Sequence, residues 1–238
     1  MNKPTPLTTL IQQLTEFDTA LLANTIGYVD PTPAHEWYMG SSIKSTNPSL
    51  GPTCGVAVTA EIDTSSPNNP SETKLWWELL EIIQKTAEPV VLVVKTVGSR
   101  PDHECVMGDG MGKMLNSVGC NALVTDGGVR DVVGLNTVPF VAYCSGITIH
   151  HCALRWTKIQ GPVEVGGITV RPGDIIHANN EGVIKLPAGP ALANLPEKAI
   201  AMRGFEHKTH MLWRQPGATL EEKKTGVMQY LKDYGFSK

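Results

Sequence analysis

The chain has 238 residues and a formal net charge of −3, with 41% hydrophobic and 18% charged residues. This composition is typical of a globular protein rather than a disordered one. The small negative charge argues against a nucleic-acid-binding surface, and no apolar run approaches the roughly 20 residues that cross a bilayer. We therefore expect a soluble protein that binds neither nucleic acid nor a membrane.

Cysteine usage and the N-terminal segment bear on the cellular compartment. No cysteine belongs to a CxxC pair, and an odd, scattered set favours reduced thiols over a disulfide framework. The five are Cys54, Cys105, Cys120, Cys144 and Cys152. The segment MNKPTPLTTLIQQL lacks the continuous apolar region of a secretory signal. Both features predict a cytoplasmic protein.

The first part of the chain alternates between helical and strand patterns. Apolar residues at helical spacing predict a helix from Leu7 to Asn24, and the Pro-, Ser-, Thr- and Gly-rich residues 30–52 predict a long loop. GVAVTAEI at 55–62 alternates like a half-buried strand, whereas 71–87 has the apolar face of a helix. The β-branched run Val90 to Val97 is typical of a strand that is buried on both faces.

The segment from Gly108 to Asp131, GDGMGKMLNSVGCNALVTDGGVRD, is the most informative part of the sequence. It predicts a Gly-rich turn, a helix over about 109–118, a strand over about 122–125, a second Gly-rich turn and another helix from about Arg130. Its charged residues therefore fall at the ends of regular elements, where a rigid scaffold holds the loops that carry catalytic side chains.

The second part of the chain adds strands of a different kind. Pro139 to Tyr143 predicts a short strand, and VEVGGITV predicts a tight hairpin that turns at Gly166-Gly167. Turn signals at 172–174 and 179–182 continue a meander, and the chain is helical from Ala188 onward in two pieces split around 215–217. The order predicts an α/β fold with parallel strands first, antiparallel strands next and a C-terminal helical arm.

The sequence GDGMGK is not a nucleotide-binding motif. A dinucleotide fingerprint requires a third glycine where Lys113 stands, and a P-loop requires glycine at Met107 and Ser or Thr at Met114. The glycine-rich start of a helix still presents backbone N–H groups to a small anion. Asp109 is explained equally well as an ordinary N-cap, so this motif alone leaves a structural and a functional role open.

Asp126, Arg130 and Asp131 also have plain structural explanations, as a turn residue and a solvated ion pair. Together with Asp109, however, they follow successive predicted strands, and ligand crevices of open α/β folds lie at the carboxyl ends of strands. An arginine beside carboxylates suits a small anionic substrate and a hard metal ion. The arrangement predicts a metal-assisted enzyme that acts on a 2-oxo acid.

The sequence His150-His151-Cys152, with Cys144 nearby, has the composition of a soft-metal cluster. Adjacent residues of a strand point to opposite faces, so they rarely ligate one ion. We therefore favour structural roles for these residues.

Three stretches carry a family resemblance: FDTALLANTIG, the GD…DGxxRD segment above, and PVEVGGITVRPGDIIHANNEGVIKLP. With DGxxRD and VGGxxVxPGD in this order, over about Phe17 to Pro187, the chain resembles the RraA-like family. That family includes the 4-hydroxy-4-methyl-2-oxoglutarate / 4-carboxy-4-hydroxy-2-oxoadipate aldolases. The resemblance implies an αββα sandwich with mixed sheets, in which residues 1–187 form the catalytic domain and 188–238 its C-terminal helical arm.

The resemblance also implies a homotrimer or homohexamer with active sites between subunits. Each site would hold Mg²⁺ or Mn²⁺, with Asp131 as the metal ligand and water in most other positions. Arg130 would hold the oxo-acid group, and Asp109 would orient a metal-bound water that acts as the base.

The remaining implied site residues bind the substrate or come from a neighbour. Gly108, Gly110 and Met111 would bind the substrate, and the backbone amides of the last two would receive its carboxylate. Family sites are completed by a glutamate on the C-terminal arm of a neighbouring subunit, for which Glu206 is the candidate by spacing.

The implied reaction is a class II-type aldol cleavage of a 4-hydroxy-2-oxo acid to pyruvate through a metal-stabilised enolate. Oxaloacetate decarboxylation passes through the same enolate and is the expected side activity. Two alternatives stay open: another metal-dependent step on a different oxo acid, and a non-catalytic regulator that binds a protein partner. Regulators of the family lack the carboxylate after the arginine, so Asp131 and Asp109 favour an enzyme. Residues that select the substrate are expected in Pro31–Pro52.

Overall fold

The computed structural model describes residues 5–151 and 153–237, and Cys152 lies outside the described residues. The helices, in chain order, are α1 (Leu7–Leu14), α2 (Thr19–Ile26), α3 (Lys74–Lys85), α4 (Asp109–Ser117), α5 (Val132–Leu135), α6 (Gly189–Trp213) and α7 (Leu220–Asp233). The strands are β1 (Lys44–Ser45), β2 (Thr53–Asp63), β3 (Val90–Thr96), β4 (Cys105–Met107), β5 (Cys120–Thr125), β6 (Gly128–Val129), β7 (Val141–Cys144), β8 (Gly146–Ile147), β9 (Arg155–Ile159), β10 (Val163–Val165), β11 (Ile168–Val170), β12 (Ile175–Asn179) and β13 (Gly182–Lys185).

Eight strands form one large mixed sheet in the order β1-β7-β5-β3-β2-β12-β13, with β9 also paired to β2. The neighbours β2, β3, β5 and β7 run parallel, whereas β1, β9, β12 and β13 pair antiparallel. The predicted order of parallel strands followed by an antiparallel meander is therefore confirmed.

A small parallel sheet, β4-β6-β8, stands apart from the large one. Each of its strands follows a parallel strand of the large sheet along the chain: β4 comes after β3, β6 after β5 and β8 after β7. The small sheet is absent from the sequence prediction, because strands of two or three residues are too short to display a period.

Two layers of helices pack against the large sheet, and a third apolar cluster lies between the sheet and the β10–β11 hairpin. The first layer packs α3, α4 and α5 around buried side chains such as Trp76, Leu79 and Leu115. The second packs α1, α2 and α6 around Leu14 and Leu195. The β10–β11 hairpin closes the inner core against β2 and β3. This arrangement confirms the α/β class with mixed sheets and a C-terminal helical arm.

Several predicted elements are confirmed in position. Strand β3 is buried on both faces as expected, and the hairpin turns at Gly166 and Gly167, whose φ angles of 61° and 86° suit a primed turn. The C-terminal helices break between Trp213 and Leu220, around Gly217 with a φ of 79°.

Three predictions at the level of single elements are wrong. The predicted helix Leu7 to Asn24 is two helices, because the carboxylate of Asp18 caps a new helix by accepting the N–H of Leu21 at 2.7 Å. Strand β2 is buried along nearly its whole length, since it lies between helices and the hairpin. The helix expected from Arg130 begins at Val132, so Arg130 lies in the turn before it.

Three of the described cysteines carry thiols that ionise less readily than a free cysteine. Cys54, Cys120 and Cys144 are buried, and burial raises the pKa of each thiol, to about 12 for Cys54 and Cys120. Within the described residues, no helix combines the length and the apolar character needed to cross a membrane.

Candidate active site

A cavity of about 350 Å³ lies at the carboxyl ends of the small sheet. We call it the Arg130 cavity. The loop after β4 contributes Gly108 to Met111, the turn after β6 contributes Arg130 and Asp131, and the segment after β8 contributes His150 and His151. All the sequence-predicted site residues except Asp126 and Glu206 therefore line one cavity.

Close backbone packing sets the position of Arg130 and Asp131. The N–H of Arg130 donates to the carbonyl of Met107 at 2.9 Å, which joins the end of β6 to the end of β4. Asp131 has a left-handed φ of 55°, and its carbonyl accepts the N–H of Leu135 at 2.9 Å. A Cβ on Gly108 would lie 2.6 Å from Asp131 Oδ2, so a larger residue there would have to displace this carboxylate.

Arg130 and Asp131 both keep part of their side chain open to the cavity. Arg130 Nε lies 3.5 Å from Asp131 Oδ2, and the side chains are 26% and 39% exposed. An exposed pair of this kind contributes little to stability. The guanidinium therefore retains donors that can bind a ligand carboxylate in a fork.

Asp109 has close neighbours on its own helix and on α5. Lys113 Nζ lies 2.6 Å from Asp109 Oδ2, one helical turn along α4. On the opposite side, a Cβ on Gly134 would come within 2.6 Å of the same oxygen. The hydrogen bond from Lys113 lowers the pKa of Asp109, and the backbone N–H of Gly110 and the charge of Arg130 act in the same direction. Asp109 is therefore ionised at neutral pH.

The first turn of α4 supplies backbone donors to the same cavity. Gly108 precedes the helix, and the first N–H groups of a helix have no carbonyl partner within it. A Cβ on Gly110 would meet no atom within 4 Å, which leaves room for a ligand beside the backbone. The positive end of the helix dipole adds to the attraction for an anion.

His150 and His151 were assigned structural roles from the sequence, yet both are exposed residues that line the Arg130 cavity. They follow β8 as Arg130 follows β6. Their position could have been predicted only by recognising strand β8 in the sequence, but a strand of two residues leaves no pattern there.

Asp126, by contrast, belongs to the framework. Its carboxylate pairs with Lys95 Nζ and accepts the N–H and hydroxyl of Thr96 at 2.9 and 3.0 Å. These bonds tie the end of β5 to the end of β3. Asp126 does not line the Arg130 cavity.

Two other predicted contributors lie elsewhere in this chain. Glu206, on α6, accepts a hydrogen bond from Asn24 Nδ2 at 2.8 Å and does not line the Arg130 cavity. The loop Pro31–Pro52 lines two separate cavities through residues that include Tyr38 and Met39.

Asp131 is the residue of the Arg130 cavity that could hold a hydrated hard cation. Among residues 5–151 and 153–237, no three His, Cys, Asp or Glu side chains cluster as a metal-binding group. Asp131 supplies one partly exposed carboxylate beside an open cavity. Because Mg²⁺ keeps several of its waters, one protein carboxylate can suffice for it.

Comparison with known proteins extends these observations. A protein of Halalkalibacterium halodurans, provisionally named a 4-hydroxy-4-methyl-2-oxoglutarate aldolase, is 33% identical over 87 residues, which are 35% of this chain and 40% of that protein. Protein DlpA of Legionella pneumophila is 34% identical over 101 residues, 42% of this chain and 16% of DlpA. The chain thus spans less than half the length of either relative.

The fold has solved counterparts. The crystal structure of Streptomyces coelicolor RraAS2, described as an unusual member of the RNase ES inhibitor RraA protein family, matches with a TM-score of 0.67. Its sequence identity is 21%, and the match covers 89% of this chain and 99% of that one. The model of the RraA-like family, described as Aldolase/RraA, matches residues 32–185. The chain therefore belongs to the RraA-like family.

Proposed function

We propose that the protein is a carbon–carbon lyase that cleaves a 4-hydroxy-2-oxo acid to pyruvate. The observation that carries the proposal is the convergence of Arg130, Asp131, Asp109 and the start of α4 on one cavity. Family membership and the relative that is named an aldolase support a lyase.

Substrate binding falls to Arg130 and the backbone of Gly108, Gly110 and Met111. The Arg130 guanidinium binds the oxo-acid end of the substrate, because its planar fork matches a carboxylate. The first N–H groups of α4 donate to the same carboxylate and orient it. Together they fix the oxo acid relative to the carboxylate of Asp109.

Asp109 accepts the proton of the C4 hydroxyl group, directly or through water. Its carboxylate is ionised, and Lys113 engages Oδ2, so the other oxygen serves as the acceptor. As the proton leaves, the C4 hydroxyl becomes a carbonyl and the C3–C4 bond breaks. The electron pair of that bond passes to the pyruvate half, which then takes a proton at C3.

We further propose that Asp131 holds a divalent cation, Mg²⁺ or Mn²⁺. Such an ion would draw electrons from the 2-oxo group and stabilise the negative charge that develops on the pyruvate half. Asp131 is suited to this role because it is partly exposed beside Arg130. Oxaloacetate decarboxylation, in which the broken bond releases CO₂ instead, is the side activity that the same arrangement would support.

Assembly forms part of the proposal. We infer a homotrimer or homohexamer in which Glu206 reaches the Arg130 cavity of a neighbouring subunit. Within one chain Glu206 contacts Asn24 instead, so an assembly is required for this role. Residues 1–187 would form the catalytic domain and 188–238 its helical arm.

The direct test is pyruvate release, coupled to lactate dehydrogenase, from 4-hydroxy-4-methyl-2-oxoglutarate and from oxaloacetate, with Mg²⁺ or Mn²⁺ and then with EDTA. We expect metal-dependent pyruvate from either substrate, and their ratio separates aldolase from decarboxylase. Asp131→Ala should reduce turnover by roughly 100-fold or more, because the cation that Asp131 would hold is worth several kcal/mol in the transition state. Asp233→Ala, at an exposed aspartate of α7, should leave turnover unchanged.

The alternatives predict different results. Metal binding without pyruvate from either compound would favour another oxo-acid reaction, such as hydration or isomerisation. Neither metal binding nor pyruvate, together with a stoichiometric protein partner on purification, would favour a non-catalytic regulator. Unchanged turnover in Asp131→Ala would contradict the assigned role of this carboxylate.

A further inference from the structure

Cleavage of a 4-hydroxy-2-oxo acid needs a proton acceptor at the C4 hydroxyl group and a proton donor at C3. In the proposed function Asp109 is the acceptor. When the C3–C4 bond breaks, its electron pair stays on the pyruvate half, which must gain a proton at C3 before pyruvate is complete. The side chains of the Arg130 cavity limit which group can supply this second proton.

Most side chains that line the Arg130 cavity are unsuited to donate a proton. Asp109 is ionised, Asp131 is the proposed cation ligand, and the guanidinium of Arg130 keeps its proton in proteins. Cys105 is 2% exposed, and its thiol already donates to the carbonyl of Thr148 at 3.1 Å. Among the described lining residues, the ionisable side chains that remain are two histidines.

His150 and His151 are these two residues, and both are exposed. Histidine is the side chain that ordinarily changes its charge between about pH 5 and 8. It can therefore give up a proton and take one back under neutral conditions, as a catalytic acid must. Because both side chains are exposed, solvent can restore the proton after each turnover.

The two histidines differ in the cavities that they line. His150 also lines a second cavity, of about 470 Å³, whose walls include Asp63 and Arg100. His151 lines the Arg130 cavity and does not line the second one. His151 is therefore the histidine whose surroundings are those of the candidate active site.

The strand order of the small sheet places His151 across the cavity from Asp109. The central strand, β6, precedes Arg130, whereas β4 precedes Asp109 on one side and β8 precedes His151 on the other. Neighbouring strands are about 4.8 Å apart, so the segments that follow the two outer strands begin roughly 10 Å apart. A small oxo acid that is bound at Arg130 would lie between Asp109 and His151.

The segment that leads from β8 to His151 is anchored to the other two strands. The N–H of Thr148 donates to the carbonyl of Val129, at the end of β6, at 2.9 Å. The thiol of Cys105, at the start of β4, donates to the carbonyl of the same Thr148. A Cβ on Gly128 would overlap the Thr148 hydroxyl, so the two backbones are in close contact. The approach of His151 to the cavity thus starts from a fixed point.

We propose that His151 is the catalytic acid that protonates C3 of the pyruvate enolate. This inference rests on the proposed function. After the C3–C4 bond has broken, the protonated imidazole gives its proton to C3, and the electron pair of the enolate forms the new C–H bond. Pyruvate then leaves a neutral His151 and a protonated Asp109. Solvent takes the proton from Asp109 and returns one to His151, so a turnover consumes no net proton.

The test is the reverse of this step, the exchange of the methyl hydrogens of pyruvate in D₂O, followed by proton NMR with Mg²⁺ present. Neutral His151 removes a C3 proton, exchanges it with solvent and returns a deuteron. We expect the native protein to catalyse the exchange and His151→Ala to be slower by about 100-fold or more. The KM for pyruvate should stay near the native value, because Arg130 still binds the carboxylate. His35→Ala, at an exposed histidine that does not line the Arg130 cavity, should keep the native rate.

Imidazole added to the solution gives a readout that a purely structural role would not affect. It can occupy the space that the side chain leaves in His151→Ala and carry the missing proton, so it should restore the exchange as its concentration rises. An exchange rate that is native in His151→Ala would show that water supplies the proton, and would overturn the inference. A loss that imidazole does not restore, or one that it restores in His150→Ala instead, would also overturn the assignment to His151.

The inference and the proposed function fail in different ways. If the native protein releases pyruvate from either test substrate while His151→Ala exchanges at the native rate, the proposed function stands and the inference falls. If the native protein neither releases pyruvate nor exchanges its methyl hydrogens, the proposed function fails, and the role of His151 falls with it.

Discussion

Two groups of carboxylates in this molecule share their chemistry and differ in their surroundings. Asp63 and Glu104 are 9% and 1% exposed, and donors of the protein occupy their oxygens. The side chains of Asp109 and Asp131 are 35% and 39% exposed and face the Arg130 cavity. A buried carboxylate stabilises the fold only when its hydrogen bonds are complete. Carboxylates whose oxygens are not occupied by protein donors can bind a ligand. Whether protein donors already occupy a carboxylate therefore distinguishes the structural carboxylates from those of the candidate site.

The largest effect should come from breaking the framework group. Glu104→Ala leaves the N–H of Thr64 and the hydroxyl of Ser65 without their acceptor, and we expect a loss of about 3–5 kcal/mol in the free energy of unfolding. Denaturant titration measures it. Asp131→Ala is the comparison variant and should change stability by less than about 1 kcal/mol. Equal losses of unfolding free energy in both variants would contradict the distinction between structural carboxylates and those of the candidate site.

His177, on β12, is a buried base whose two ring nitrogens, like the oxygens of Asp63 and Glu104, have hydrogen-bond partners within the protein. Its Nε2 lies 3.2 Å from the carbonyl of Leu14, which can only accept, and its Nδ1 lies 3.0 Å from Thr19 Oγ1, which therefore donates. Burial lowers the pKa of His177 to about 4. In the unfolded chain the ring has the ordinary pKa of about 6.5.

Stability should therefore depend on pH through His177. Above about pH 6.5 the ring is neutral in both states, and between about 6.5 and 4 only the unfolded state binds the proton. The free energy of unfolding should fall by about 3 kcal/mol as pH drops across that window. Unfolding curves of the native protein and of His177→Gln would show it, because the variant should lose this slope. An unchanged slope would assign the dependence to other groups.

Gly108→Ala tests the cavity side of the comparison. The added Cβ would lie 2.6 Å from Asp131 Oδ2 and 3.2 Å from Arg130 Nε, so both side chains must move. We expect turnover to fall by roughly 10-fold or more, because small displacements of positioned groups are costly to the rate. Gly51→Ala is the matched control, since a Cβ there meets no atom within 4 Å. Full activity in Gly108→Ala would show that the placement of Asp131 tolerates a shift.

The smallest expected effect concerns the charge on Asp109. Lys113 lowers the pKa of Asp109, so Lys113→Met should raise it. The carboxylate then becomes protonated at a higher pH, and the acid side of the pH–rate profile should move upward. Lys113→Arg keeps the positive charge and should leave the profile near that of the native protein. A profile that moves equally in both variants would point to a structural change instead.

The sequence by itself predicted much of the architecture and collected most of the candidate residues. The β-branched run of β3, the paired glycines of the hairpin and the break between α6 and α7 are local signals, because each depends on the conformational preferences of neighbouring residues. The spacing of Asp109 from Arg130 and Asp131 likewise identified residues that line one cavity.

Only the tertiary structure revealed the small sheet and what it brings together. Strands β4, β6 and β8 are two or three residues long and form because they pair with each other. They are too short for the sequence to show the alternation of apolar and polar residues that predicts a strand. His150 lines the Arg130 cavity, and Arg100 lines a second cavity that His150 also borders. Both placements depend on contacts between distant parts of the chain. Residue type and local conformational preference follow from the sequence. Whether protein donors occupy a carboxylate, as at Glu104, or leave it exposed, as at Asp131, depends on which distant residues the packing places beside it.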